Sequence, residues 1–251
     1  MVTTLYLVRH GETEGNETKR YKGSIDVPLS EKGIGQIKGS SAFIREYLRN
    51  ASSSKHMSYL KEIHRSSDDS SGARKSENPE PTSEPQRLRN SRLQAVYTSN
   101  LSRAAKSADI IAAPYGLGPI ETPDLRERGF GIWEGMTFTE IKEKYPAEFE
   151  AWANNPLRYS PIGGESTIEV KDRIIPPLTR ILESHKGENI AVVAHGGVNR
   201  IILCHFLGIP LENIFRIEQD CAGVNIIEMW DKYPVVKLIN GQSGYSEEFI
   251  S

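Results

Sequence analysis

The chain has 251 residues, two cysteines and a formal net charge of −2, with 37% hydrophobic and 25% charged residues. Such a length buries a sizeable core within a single α/β domain, and the near-neutral charge argues against general nucleic-acid binding. Cys204 and Cys221 are too few for a disulfide framework, and no secretory signal or membrane-length apolar run is visible, so buried thiols and a cytoplasmic protein are expected.

In chain order, the apolar run Leu5-Tyr6-Leu7-Val8 is predicted as a buried strand that closes on Arg9-His10-Gly11. A polar stretch from Gly11 to Pro28 leads to Ser30, a helix N-cap. Ile34, Ile37, Ser41, Ile44 and Leu48 then recur at helical spacing to about Arg49, although Gly33, Gly35 and Gly39 weaken that helix. From Ala51 to Ser91, serine clusters, prolines and mixed charges replace aliphatic residues. That tract buries too little apolar surface to offset its ordering entropy, so a mostly disordered insertion at 51–91 is expected within one domain spanning 1–241. Residues 242–251 read as a loose tail.

The next strand is Leu93 to Tyr97, ending in Thr98-Ser99-Asn100, and a helix runs from Arg103 to about Tyr115. A short extended piece follows at Ile120, then a polar loop from Asp124 to Gly135 that holds Glu127 and Trp133. Thr137 to Trp152 is a helix broken near Pro146, and 154–164 a long loop. Ser166 caps a helix to about His185, which Pro176-Pro177 must bend or break. A second apolar strand, Ile190 to Ala194, closes on His195-Gly196-Gly197. A helix from Val198 to Leu207 and two late strands, Gly223 to Trp230 and Val235 to Ile239, complete the pattern.

Both histidine-ended runs read as central parallel strands, and ligands in open α/β sheets gather at strand carboxyl ends. His10 and His195 are therefore expected to face one crevice. Arg9 indicates what binds there, because an arginine in a buried strand needs an anionic partner to offset its desolvation. Phosphate is the natural candidate.

Leu7-Val8-Arg9-His10-Gly11-Glu12-Thr13 with Asn16 closely resembles the signature of the histidine phosphatase superfamily, which includes the cofactor-dependent phosphoglycerate mutases. Gly23-Ser24-Ile25-Asp26-Val27-Pro28-Leu29-Ser30, Ser99-Asn100-Leu101-Ser102-Arg103-Ala104, Leu125-Arg126-Glu127 and Ala194-His195-Gly196-Gly197 are similar to the family's remaining blocks, in order. The resemblance implies a three-layer αβα sandwich with a mostly parallel central sheet, as in phosphoglycerate mutases. It implies His10 as the nucleophile that accepts the phosphoryl group. Arg9, Arg103 and His195 would surround the phosphate, and Glu127 would carry the proton. Asn16, Gly23 and Gly196 join Arg9, Arg103 and His195 as substrate-binding candidates.

Chemically the set is coherent: phosphoryl transfer asks a protein mainly to position groups in line and to stabilise charge on the equatorial oxygens. Nearby arginines disfavour protonation of His10, preserving the lone pair that attack requires. Glu127 must hold a proton as the alcohol departs, so burial or the phosphate dianion has to raise it above an ordinary glutamate. Glu134 and Glu12 compete for that role.

The segment from Phe130 to Ser166 lacks the adjacent arginines of the mutases and is similar to the alpha-ribazole and broad-specificity phosphatase branch. Hydrolysis of a small phosphorylated metabolite is the first expectation, a phosphoglycerate mutase the second, and a non-catalytic binding member a distant third. Trp133 and Trp152 offer either an aromatic wall or core packing. No cofactor, metal, nucleic acid or membrane is implied. His56 and His64 fall in the insertion, with His185 expected on the surface and His205 in helix packing.

Overall fold

The computed structural model describes residues 2–51 and 91–242. The expected insertion, apart from its two end residues, and the tail after Gln242 lie outside the described residues. β1 (Thr3–Arg9), β2 (Ala95–Thr98), β3 (Ile120–Glu121), β4 (Asn189–Ala194), β5 (Val224–Met229) and β6 (Pro234–Gly241) form one sheet in the order β3-β2-β4-β1-β5-β6. The strands β3, β2, β4 and β1 run parallel, whereas β5 pairs antiparallel with both β1 and β6.

Successive side chains on a strand point to opposite faces, and here both faces are apolar. Leu5, Leu7, Ile190 and Val192 pack with residues of α5 (Thr167–Ser184) and α6 (Gly196–Leu207). Tyr6, Val8, Ala191 and Val193 pack with residues of α1 (Glu31–Ala51) and α2 (Ser102–Ala112). The result is the expected three-layer sandwich, with β1 and β4 in its middle. Among the described residues no helix is long and apolar enough to cross a membrane.

Several local signals act as read. Ser30 caps α1 by accepting the Gly33 N–H at 3.1 Å, and Gly33 lets the helix start press on the end of β1. A Cβ there would lie 2.0 Å from the Glu12 carbonyl oxygen. Pro146 divides α3 (Phe138–Lys144) from α4 (Pro146–Asn154) by occupying the first turn of the second helix.

Other expectations are corrected. α5 continues through Pro176 and Pro177 as one helix, so of the expected bend or break the break does not occur. Each proline costs a helix interior about 3 kcal/mol, but Val170, Ile174, Leu178 and Ile181 are buried on one face. Each such side chain contributes about 1.5–3 kcal/mol, and the Ser166–Glu169 capping box adds to that, so burial prevails over the break. α6 begins at Gly196 rather than Val198. His185 is not a free surface residue: its Nε2 pairs with the Tyr97 hydroxyl at 2.8 Å and its Nδ1 with Glu188 at 2.6 Å. His205 is exposed rather than packed, and of the two thiols Cys204 is buried while Cys221 is half-buried.

Pro176 is exposed, so its ring serves no core contact that alanine would forfeit. Pro176→Ala is expected to restore a helical N–H donor and raise the unfolding free energy by about 1–3 kcal/mol, measured by urea titration. A loss of stability would show that the proline is needed where it stands.

Candidate active site

The register of β1 on β4 aligns Arg9 with Ala194, so the residues that follow, His10 and His195, emerge side by side. Their ring centroids are 5.2 Å apart, and the His10 N–H donates to the Ala194 carbonyl at 3.1 Å. A cavity of about 400 Å³ opens over these strand ends. Arg9, His10, Asn16, Gly23, Arg103, Glu127 and Gly196 all contribute to its wall. His195 does not: it is fully buried one ring behind His10.

His10 is 7% exposed, and its Nδ1 lies 2.7 Å from the Gly11 carbonyl oxygen. A carbonyl only accepts, so Nδ1 carries the hydrogen and Nε2 keeps its lone pair. Burial, then the charges of Arg9 and Arg103, hold the imidazole well below its ordinary pKa. The same causes act on His195, where burial leads and His10 and Arg103 follow. Ser99 Oγ stands 2.7 Å from His195 Nε2 and also receives the Leu101 N–H at 3.4 Å. Where the serine hydroxyl donates to Nε2, the remaining proton of a neutral His195 lies on Nδ1. That Nδ1 is buried without a protein partner.

The cations are held by main-chain oxygens rather than by carboxylates. Arg103, 2% exposed, donates to the carbonyls of Ile25 at 2.8 Å and Gly23 at 2.7 Å. Arg9 donates through one terminal nitrogen to the Gln219 carbonyl at 2.5 Å, while its buried Nε has no acceptor. Carbonyl anchoring orients a guanidinium without neutralising it, so positive charge is retained for an anion. Gly23, at φ +50, brings its carbonyl to Arg103, and a Cβ there would meet Glu134 Oε1 at 2.3 Å.

Glu127 is the carboxylate in the wall: Oε1 accepts the Arg128 N–H at 2.9 Å and Oε2 the Gly197 N–H at 3.2 Å. Its two competitors are engaged elsewhere. Glu12 pairs with Lys32 at 2.9 Å, and one Glu134 oxygen accepts from Ser24 and Phe130 in a loop. Gly197 admits Glu127 because a Cβ there would sit 2.8 Å from Oε1. Gly196 likewise leaves room for Arg9, whose Nε would lie 3.3 Å from a Cβ at that position.

Four residues of this assembly carried no assigned role in the sequence reading. Ser99 stood in a quoted motif as a strand-ending polar residue. Lys22 sits one position before Gly23, lines the cavity and donates to the Thr13 hydroxyl and the Glu14 carbonyl. Arg128 follows Glu127 and also lines the cavity, as does Arg200 from α6. Adjacency to a motif was the available signal for Lys22 and Arg128; Arg200 had none. Among the described residues no group of three or more His, Cys, Asp or Glu is placed to hold a metal ion.

A nucleophile-ready histidine among uncompensated arginines, at the carboxyl ends of parallel strands, defines a phosphoryl-transfer enzyme of the α/β class. The chain belongs to the histidine phosphatase superfamily (branch 1), whose family model matches residues 5–59 and 84–242, and it is a phosphatase of that superfamily. It is 28% identical over 236 residues to phosphoserine phosphatase 1 of Hydrogenobacter thermophilus, covering 94% of this chain and 91% of that one. It is 34% identical over 204 residues to the metal-independent phosphoserine phosphatase of Arabidopsis thaliana, covering 80% of this chain and 67% of that one. With the adenosylcobalamin/alpha-ribazole phosphatase of Salmonella typhimurium it shares 24% over 246 residues, 97% and 99% of the two chains. The crystal structure of the alpha-ribazole phosphatase from Shigella flexneri has the same fold, with a TM-score of 0.71 over 95% of this chain and 96% of that one at 23% identity.

Two predictions follow from the buried imidazoles. Both have folded pKa values below the unfolded value of 6.5, so the unfolded chain binds protons that the folded one rejects. Stability present above pH 6.5 is therefore lost as pH falls below it, and His195→Gln is expected to flatten that slope in urea titrations at a series of pH values. Ser99→Ala is expected to lower kcat about tenfold, the value of one lost orienting hydrogen bond; an unchanged kcat would deny Ser99 a positioning role.

Proposed function

We propose that the protein hydrolyses a small phosphomonoester through a phosphohistidine formed on His10 Nε2. The observation that carries this reading is the His10 tautomer: Nδ1 is tied to the Gly11 carbonyl, so the free lone pair lies on the nitrogen remote from the backbone. The cationic wall disfavours its protonation. In the first step Nε2 attacks phosphorus, the bond from phosphorus to the alcohol oxygen breaks, and Glu127 gives that oxygen a proton. In the second step water attacks phosphorus, Glu127 takes its proton back, and the P–N bond breaks to release inorganic phosphate and free imidazole.

Arg9 and Arg103 bind the equatorial oxygens, where charge-assisted contacts are worth about 1.5–3 kcal/mol each. The unpartnered Arg9 Nε supplies a donor that the protein itself leaves unused. Asn16 and the main chain at Gly23 and Gly196 complete the phosphate shell from the cavity wall. The chemistry draws on no metal or cofactor.

For the particular substrate we favour alpha-ribazole phosphate, on the similarity of the 130–166 segment to that branch and on the near full-length match to the Salmonella enzyme. The absence of adjacent arginines in that segment favours hydrolysis over isomerisation.

Acid and alkaline quenches of enzyme mixed with labelled substrate are expected to trap an acid-labile, base-stable phosphoenzyme. His10→Ala is expected to lose it together with about a thousandfold or more of kcat, while circular dichroism and melting stay native. An acid-stable adduct, or turnover abolished by a chelator and restored by metal, would overturn the mechanism. Isomerisation of 3-phosphoglycerate outpacing hydrolysis would move the protein to the mutases.

A further inference from the structure

Besides the phosphate-binding candidates, the cavity wall carries a set of aromatic side chains. Phe138, Phe149 and Trp152, from α3 and α4, line the cavity, and Phe215, from the 3-10 turn Leu211–Arg216, lines it as well. Three of these form a ring cluster, with Phe138 and Phe149 centroids 4.9 Å apart at 87° and Phe149 and Trp152 5.8 Å apart. Trp133 supports them from below: it is 4% exposed and meets Trp152 edge-on at 6.3 Å. Of the two tryptophans weighed as an aromatic wall, Trp133 is thus chiefly core and Trp152 the outer member.

Phe138 and Phe215 are 48% and 67% exposed. Two large apolar rings held in water at one cavity mouth are costly unless an apolar group covers them. Charge restricts what that group carries. Among the described residues Glu127 is the one carboxylate of the wall, whereas Lys19, Arg20, Lys22, Arg128 and Arg200 also line it. An ammonium on the alcohol would enter a cationic field whose single carboxylate handles the proton. Two of these cations are already paired with carboxylates, Arg20 with both Glu140 oxygens and Arg200 with Glu218, while Arg128 and Lys22 are held by neutral oxygens and keep their charge.

We infer that the alcohol half of the substrate carries a flat aromatic group and no ammonium, and that its ring packs on the surface lined by Phe138, Phe149, Trp152 and Phe215. This rests on the phosphohistidine reading above and adds selectivity against small alcohols without a ring, including that of the phosphoserine named for two relatives.

The experiment compares kcat/KM of the full chain for 2-phenylethyl phosphate, ethyl phosphate, phosphoserine and 3-phosphoglycerate. Phenylethyl and ethyl alcohols are closely similar leaving groups, so their ratio reports binding of the ring rather than intrinsic reactivity. The ring is expected to raise kcat/KM at least about tenfold, with phosphoserine and 3-phosphoglycerate below 2-phenylethyl phosphate. Phe138→Ala and Phe215→Ala, both at exposed positions that the fold tolerates, are each expected to cut the phenylethyl-to-ethyl ratio at least about threefold. A wild-type ratio near one, or phosphoserine or 3-phosphoglycerate as the better substrate, overturns the inference while an acid-labile phosphoenzyme still upholds the catalytic reading. A high ratio that neither variant lowers overturns the assigned surface. Failure to form any phosphoenzyme removes the catalytic reading and this inference together.

Discussion

The in-register parallel pairing of β1 with β4 is the constraint on which the rest of this molecule depends. Because Arg9 lies opposite Ala194, two strands far apart in the chain deliver His10 and His195 to one place, and a slip by one residue would turn each side chain to the other face of the sheet. Apolar side chains on both faces of both strands oppose such a slip. The hydrophobic core therefore also sets the site geometry, holding the two imidazoles with ring centroids 5.2 Å apart.

On that frame the site gathers positive charge without cancelling it. Arg9 and Arg103 are held by carbonyl oxygens of Gln219, Gly23 and Ile25, which orient the guanidinium groups while leaving their charge for a ligand. Both histidines are pushed toward the neutral form by burial and by those same arginines. The arginine field that would attract an anion thus acts in the same direction as burial on the His10 imidazole. Hydrogen-bond partners then separate the two rings chemically. Gly11 directs the His10 lone pair to Nε2, whereas the His195 Nε2 is held by the Ser99 hydroxyl.

Much of this was legible beforehand because it depends on short-range pattern. Strand ends, the Ser30 and Ser166 caps, and the Pro146 break are local, and the structure reproduces each. The misreadings have a common origin in tertiary packing. Pro176-Pro177 fails to break α5 because the buried face of the helix outweighs the local penalty. His185 is held by Tyr97, from a strand 88 positions earlier in the chain, and no window of sequence contains that contact. Glu127 was favoured over Glu12 and Glu134 by its motif, and the structure adds that both competitors have partners elsewhere.

The amino-acid sequence alone determined the family, the sandwich architecture and the residue types gathered at the strand ends, since these rest on periodicity and on motifs whose members are near neighbours. Tertiary structure alone decided which His10 nitrogen carries the proton, which arginines keep free charge, that His195 is buried outside the cavity wall, and that Phe138, Phe149, Trp152 and Phe215 line the same cavity. The physical reason is that protonation, desolvation and cavity shape are set by atoms brought together across the fold, and linear order places no bound on that distance.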